Sequence, residues 1–104
     1  MKLLKPIKIE LAGQTYNMAI TVRARINFEA MAEKDKDLGD TDNLFRLFYC
    51  ANMAGEKLAT GDQPDINYDD WVDNLPVDYV EALKRFTKIL EVEAAGKKKR
   101  PAKG

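Results

Sequence analysis

The sequence predicts an α+β fold, mostly α, in which an N-terminal β-hairpin packs on a bundle of three to four helices. Two short alternating runs near the start, Ile7-Ile9-Leu11 and Tyr16-Met18-Ile20, flank a glycine and have the period of half-buried strands. Beyond residue 22 the apolar spacing changes to steps of three and four, the period of helices. The third observation is length. A chain of 104 residues makes one domain with a single core and no need of cross-links. Residues 1–95 form that domain in this reading, and residues 96–104 a disordered basic tail.

The hairpin takes residues 6–22. Gly13-Gln14 suits a two-residue turn with glycine at its first central position. That register sets Leu11 opposite Tyr16, Ile9 opposite Met18 and Ile7 opposite Ile20, so that six apolar side chains share one face. A two-stranded ribbon alone is marginal in water, and helices must cover that face. The first of them is expected at about residues 23–34, with Thr21 as N-cap. Ala24, Phe28, Met31 and Ala32 share one side of it. Val22 and Ile26 do not, which leaves two readings: the strand runs on through Val22, or this helix is buried on two sides. The polar stretch 35–40, with Gly39 supplying backbone freedom, ends the helix.

The central helix is expected at residues 42–60, capped by Thr41 or Asp42 and stopped near Gly61. Leu44, Leu47, Phe48, Ala51, Ala54 and Leu58 make one stripe along it. Phe45, Tyr49 and Met53 make a second, displaced round the same helix. A helix apolar on two sides buries both, or buries one and offers the other to a partner. Phe45, Tyr49 and Met53 are plain core with the first or last helix on top, the simpler reading, or the candidate partner-binding residues of an adaptable methionine-containing surface. Asn67 caps a short helix at 68–74, with Asp69 and Asp70 near its positive end and Tyr68, Trp71, Val72 and Leu75 on its buried edge. Pro76 separates it from a last helix, 77–95, with a stripe of Tyr79, Leu83, Phe86, Leu90 and Ala94. Gly96 ends that helix.

Composition narrows the chemistry. The chain has no histidine and one cysteine, Cys50, which rules out an intramolecular disulfide and removes the commonest acid–base catalyst and metal ligand. Cys50 then lacks the usual activating base, and a buried structural role fits it better. The acidic runs Asp62-Asp65-Asp69-Asp70-Asp73 and Asp35-Asp37-Asp40 fail the calcium-loop pattern, since Arg46 stands where the closing carboxylate of the second belongs. The six glycines are scattered and form no phosphate loop. No catalytic residue, metal ligand or cofactor site is expected, and the chain is read as a non-enzyme. No apolar run approaches the length of a membrane span. The basic start regains charge too quickly for a secretory signal, so a cytoplasmic location is expected.

The net charge of zero conceals an asymmetry. Lys97, Lys98, Lys99, Arg100 and Lys103 lie in the tail, leaving twelve basic against seventeen acidic residues in the body, a net of −5. The tail offers an alternative function, a small nucleic-acid-associated regulator touching phosphates through Lys97, Lys98, Lys99 and Arg100. It carries no interleaved aromatic residues for base stacking, and a solvated end is the simpler reading.

The order hairpin, helix, long aromatic helix, short helix, final helix resembles the tail assembly chaperones of long-tailed (siphovirus-type) bacteriophages. The resemblance is carried by IELAGQTYNMAITVRARINFEAM at 9–31, LFRLFYCANMAG at 44–55 and INYDDWVDNL at 66–75, and covers about residues 7–92. It includes the Phe28-Glu29 pair and the Tyr68-x-x-Trp71 helix. The resemblance implies a chaperone that coats the helical tape measure protein, keeps it soluble and helps recruit tail tube protein. It further implies action in the cytoplasm of the bacterial host and absence from the mature virion. Many such proteins are made in two lengths by a programmed frameshift, and Gly96-Lys97-Lys98-Lys99 sits where such a slip falls. Self-association in a ring or spiral around the partner is compatible with it. No single functional residue carries over.

Overall fold

A computed structural model describes residues 5–34 and 39–99. The elements follow in the order β1 (Ile7–Leu11), β2 (Gln14–Met18), α1 (Val22–Lys34), α2 (Asp40–Thr60), α3 (Tyr68–Asp73) and α4 (Tyr79–Lys99). The fold is α+β and mostly α, a two-stranded antiparallel hairpin followed by four helices. Strand β2 lies along α2 and β1 against α4, while α1 and α3 both pack on α2.

The hairpin register differs from the expected one by two residues. Ile7 pairs with Met18, Ile9 with Tyr16 and Leu11 with Gln14. The turn is Ala12-Gly13, not Gly13-Gln14. Both central residues have positive φ, 51° at Ala12 and 83° at Gly13, the signature of a type I′ turn whose twist matches that of the strands. Glycine takes the second position, and Ala12 accepts left-handed backbone at a cost of about 1 kcal/mol. A shift of two leaves every side chain on its face. Ile9, Leu11 and Met18 are therefore buried as expected, with Ile7, Tyr16 and Ile20 partly so.

Helix α1 opens where Thr21 predicts, its Oγ1 accepting from the Ala24 N–H at 3.0 Å. Neither reading of Val22 and Ile26 holds. The strand ends at Met18, and on α1 Val22 is 76% and Ile26 50% exposed; the helix buries only the Ala24 side. The polar stretch 35–38 lies outside the described residues. Helix α2 begins two residues earlier than expected, with Gly39 at the N-cap position and no side-chain cap. Gly61 closes it in the left-handed conformation, φ 91°, its N–H donating to the Lys57 carbonyl. Asn67 caps α3 through the Asp70 N–H at 2.8 Å.

Helix α4 departs from the sequence reading in phase and length. Asp78 caps it, its Oδ1 accepting from the Glu81 N–H at 2.9 Å. The residues it buries fully are Ala82, Phe86 and Ile89, whereas Tyr79 is 64% exposed. Leu83 and Leu90 flank the buried line. The helix runs through Gly96 to Lys99. One glycine costs a helix only about 1 kcal/mol, and the lysines that follow are good helix formers. Residues 100–104 lie outside the described residues.

The core is organised by aromatic rings. Phe86 of α4 stands 5.6 Å from Tyr16, 5.5 Å from Phe48 and 5.7 Å from Trp71, centroid to centroid. One ring thus joins β2, α2 and α3 to the last helix. Burying each large ring contributes about 2–3 kcal/mol.

Strand β2 approaches α2 closely at Gly55. A Cβ placed on Gly55 would lie 2.1 Å from the Asn17 carbonyl oxygen and 2.5 Å from the Met18 nitrogen. Only a glycine lets the strand backbone lie in that notch. The Ala19 N–H donates to the Ala51 carbonyl one turn earlier, at 2.9 Å. Gly55→Ala should therefore destabilise the protein by about 2 kcal/mol in urea unfolding, overpacking outweighing the gain in helix propensity. A neutral or stabilised variant would mean that β2 does not press on this helix.

Candidate partner-binding groove

The second stripe of α2 is not an open surface. Phe45 and Met53 are 4% and 3% exposed, and Tyr49 is half-buried. The expectation that Phe45, Tyr49 and Met53 present one face to a partner is corrected by α3, which lies across the middle of that face. Tyr49 packs edge-on against Tyr68 at 5.7 Å and Trp71 at 5.6 Å. Its hydroxyl donates to the Ile66 carbonyl at 2.6 Å, tying down the loop before α3. Phe45 meets Phe48 edge to face. The Tyr68-x-x-Trp71 pair that marks the short helix is what closes the stripe.

Polar side chains hold α3 in place. Asn52, buried in the core, accepts from the Trp71 indole N–H at 3.0 Å and donates from Nδ2 to the Asn17 carbonyl at 3.0 Å. The Glu56 carboxylate, one turn on, accepts from the Asn17 backbone N–H at 3.1 Å. At the other end of α2, Arg46 donates to the Met31 carbonyl at 3.0 Å and lies over the Tyr68 ring, 5.2 Å from its centroid. The Tyr68 hydroxyl donates to Asp42 Oδ1. Burial first, and then that hydrogen bond, push the Tyr68 phenol above its usual range. Arg46 is thus a buried tie between α1, α2 and α3.

What remains open lies between α1 and α2. The two helices run antiparallel and close tightly at one end, where Arg46 and Cys50 meet Met31, the sulfurs 3.6 Å apart. Between them lies a groove of about 750 Å³. Cys50, Met53, Ala54 and Leu58 form its apolar floor, and Arg23, Asn27 and Lys57 its rim. Leu58 is 43% exposed. Val22 and Ile26, the exposed pair on α1, neighbour Arg23 and Asn27 in sequence. Ala54 and Leu58 come from the end of the first stripe and Met53 from the second, while Cys50 belongs to neither. Val22 and Ile26 themselves are not among the residues that line the groove.

A second groove, about 550 Å³, lies between the start of α2, α3 and the start of α4. Phe45, Val72, Leu75, Val77 and Tyr79 line it together with Asp42 and Asp69. Its charge is opposite to that of the first. Lys97, Lys98 and Lys99 fall on the last turn of α4, with their side chains, and all of Arg100, outside the described residues.

Among the described residues no cluster of His, Cys, Asp or Glu could hold a metal ion, and no helix is long and apolar enough to cross a membrane. Burial pushes the Cys50 thiol up to about 11, so it is protonated at neutral pH and unreactive as a nucleophile. The shift has a sign for stability. Because the folded state holds the proton more tightly, the unfolded chain ionises first, and stability falls as pH rises from about 9 to about 11. Urea titrations at pH 7 and pH 10.5 should show that loss, smaller in Cys50→Ala, with Cys50 unreactive to thiol reagents until the protein unfolds. Phe45→Ala should cost about 3 kcal/mol or more, and Leu58→Ser less than about 1 kcal/mol, in the same assay. Equal effects would contradict the burial of the second stripe. Compared with known protein families, curated proteins and solved structures, the chain matches none.

Proposed function

We propose that this protein is a non-enzymatic tail assembly chaperone of long-tailed bacteriophages, binding the helical tape measure protein and keeping it soluble until tail tube subunits assemble on it. The groove between α1 and α2 carries the reading. A long helical partner exposes apolar stripes that aggregate unless covered, and an apolar-floored cleft between two helices accepts such a stripe as a third helix. Met53 in the floor adds adaptability, which suits a partner with many similar but unequal segments. The resemblance at 9–31, 44–55 and 66–75 supplies the partner's identity. In this reading the protein works in the host cytoplasm and is left behind by the finished virion.

Co-expression with the tape measure protein of the same genome is the direct test. The expected outcome is a soluble complex that co-purifies, and its loss in Leu58→Asp, a half-exposed position whose substitution leaves the fold intact. A tape measure protein that stays insoluble, or a complex indifferent to Leu58→Asp, would overturn the reading.

A further inference from the structure

The geometry points to a specific chemistry for the occupant of the α1–α2 groove: a short amphipathic helix whose apolar stripe is flanked on both sides by carboxylates. This rests on the reading of the groove as a partner site, and adds which segments it selects.

Shape argues for a helix. Both walls are α-helices, whose backbone donors and acceptors are bonded within the helix. An extended peptide lying there would find no ladder partner for its own backbone groups, each costly to bury unpaired. A helix arrives with those groups already satisfied. The floor residues Cys50, Ala54 and Leu58 recur every four positions and span about two turns. The site therefore takes a pair or trio of apolar side chains at three- and four-residue spacing.

Charge argues for acidic flanks. Arg23 stands on one wall and Lys57 on the other, and no carboxylate is among the described residues that line the groove. Neither cation is paired with a carboxylate among the described residues. The body outside the tail is acidic by five charges, so a groove lined by two cations and no carboxylate runs against its net charge. With Arg23 and Lys57 both lining the groove, an anionic group placed between them is attracted by both. They also reject a basic partner, since like charges brought together oppose binding. The second groove, with Asp42 and Asp69, lacks this character.

The test uses the full-length protein and two fluorescein-labelled peptides of about 18 residues. They share one leucine-alanine stripe at helical spacing and differ only in their flanks, glutamate in one and lysine in the other. Fluorescence anisotropy at low salt should show the glutamate peptide binding about tenfold more tightly, with the advantage shrinking toward unity in 0.5 M salt. In the double variant Arg23→Glu, Lys57→Glu the preference should reverse. Both positions are exposed, and circular dichroism checks that the variant is folded. Equal affinities in the wild type, tighter binding of the lysine peptide, or no binding of either would overturn the inference. A clear preference for the glutamate peptide without co-purification of a tape measure protein would uphold this inference and overturn only the identity of the partner.

Discussion

The contact on which the rest of the structure depends is the backbone approach of β2 to α2 at Gly55. Main chain lies against main chain there, with no side chain between them. Such closeness needs polar compensation, because buried N–H and C=O groups must find partners. Ala51 supplies a carbonyl for the Ala19 N–H, Glu56 a carboxylate for the Asn17 N–H, and Asn52 an amide for the Asn17 carbonyl. Two consecutive turns of α2 thereby carry the sheet edge. The hairpin, marginal by itself, becomes part of the helical core through this docking, and its apolar face is set at the depth where Phe86 reaches Tyr16.

The same asparagine decides where α3 lies. Asn52 has one side-chain acceptor and one amide group, and in the folded chain they point to different elements, Trp71 and β2. Once the indole is held there, its ring stacks on Phe86 at 5.7 Å and meets Tyr49 at 5.6 Å. A helix of six residues has little stability of its own. Its position comes from these contacts and from the Tyr68 hydroxyl on Asp42. The central helix is accordingly buried on nearly every side in its middle, and its free apolar surface is displaced toward its C-terminal end.

That displacement gives the α1–α2 groove its character. The helices are tied at the Arg46–Met31 contact, and the groove is lined from Cys50 to Leu58 on α2. Val22, Ile26 and Leu58 are exposed, as are Tyr79, Val80 and Val92 on α4.

Much of this architecture was legible in the residues. The hairpin's apolar face followed from strict alternation, the caps at Thr21 and Asn67 from residue type, and the end of α2 from Gly61. These are local effects, decided within a few residues of the feature. The register of the hairpin was misjudged by two because both turns are compatible with one buried face; the twist of a type I′ turn at Ala12-Gly13 decided between them. The phase of α4 could not be read from spacing alone, since Tyr79-Leu83-Phe86-Leu90 and Ala82-Phe86-Ile89 share Phe86 and have helical period. Contact with β1, α2 and α3 selected the second. The candidate site turned on the same kind of choice. The sequence by itself determined that α2 has two apolar faces and that Val22 and Ile26 lie off the face that Ala24 and Phe28 share. Only the tertiary structure decided which surface stays open, because that depends on where α3 docks, and its docking rests on hydrogen bonds between residues 19 and 26 positions apart in the chain.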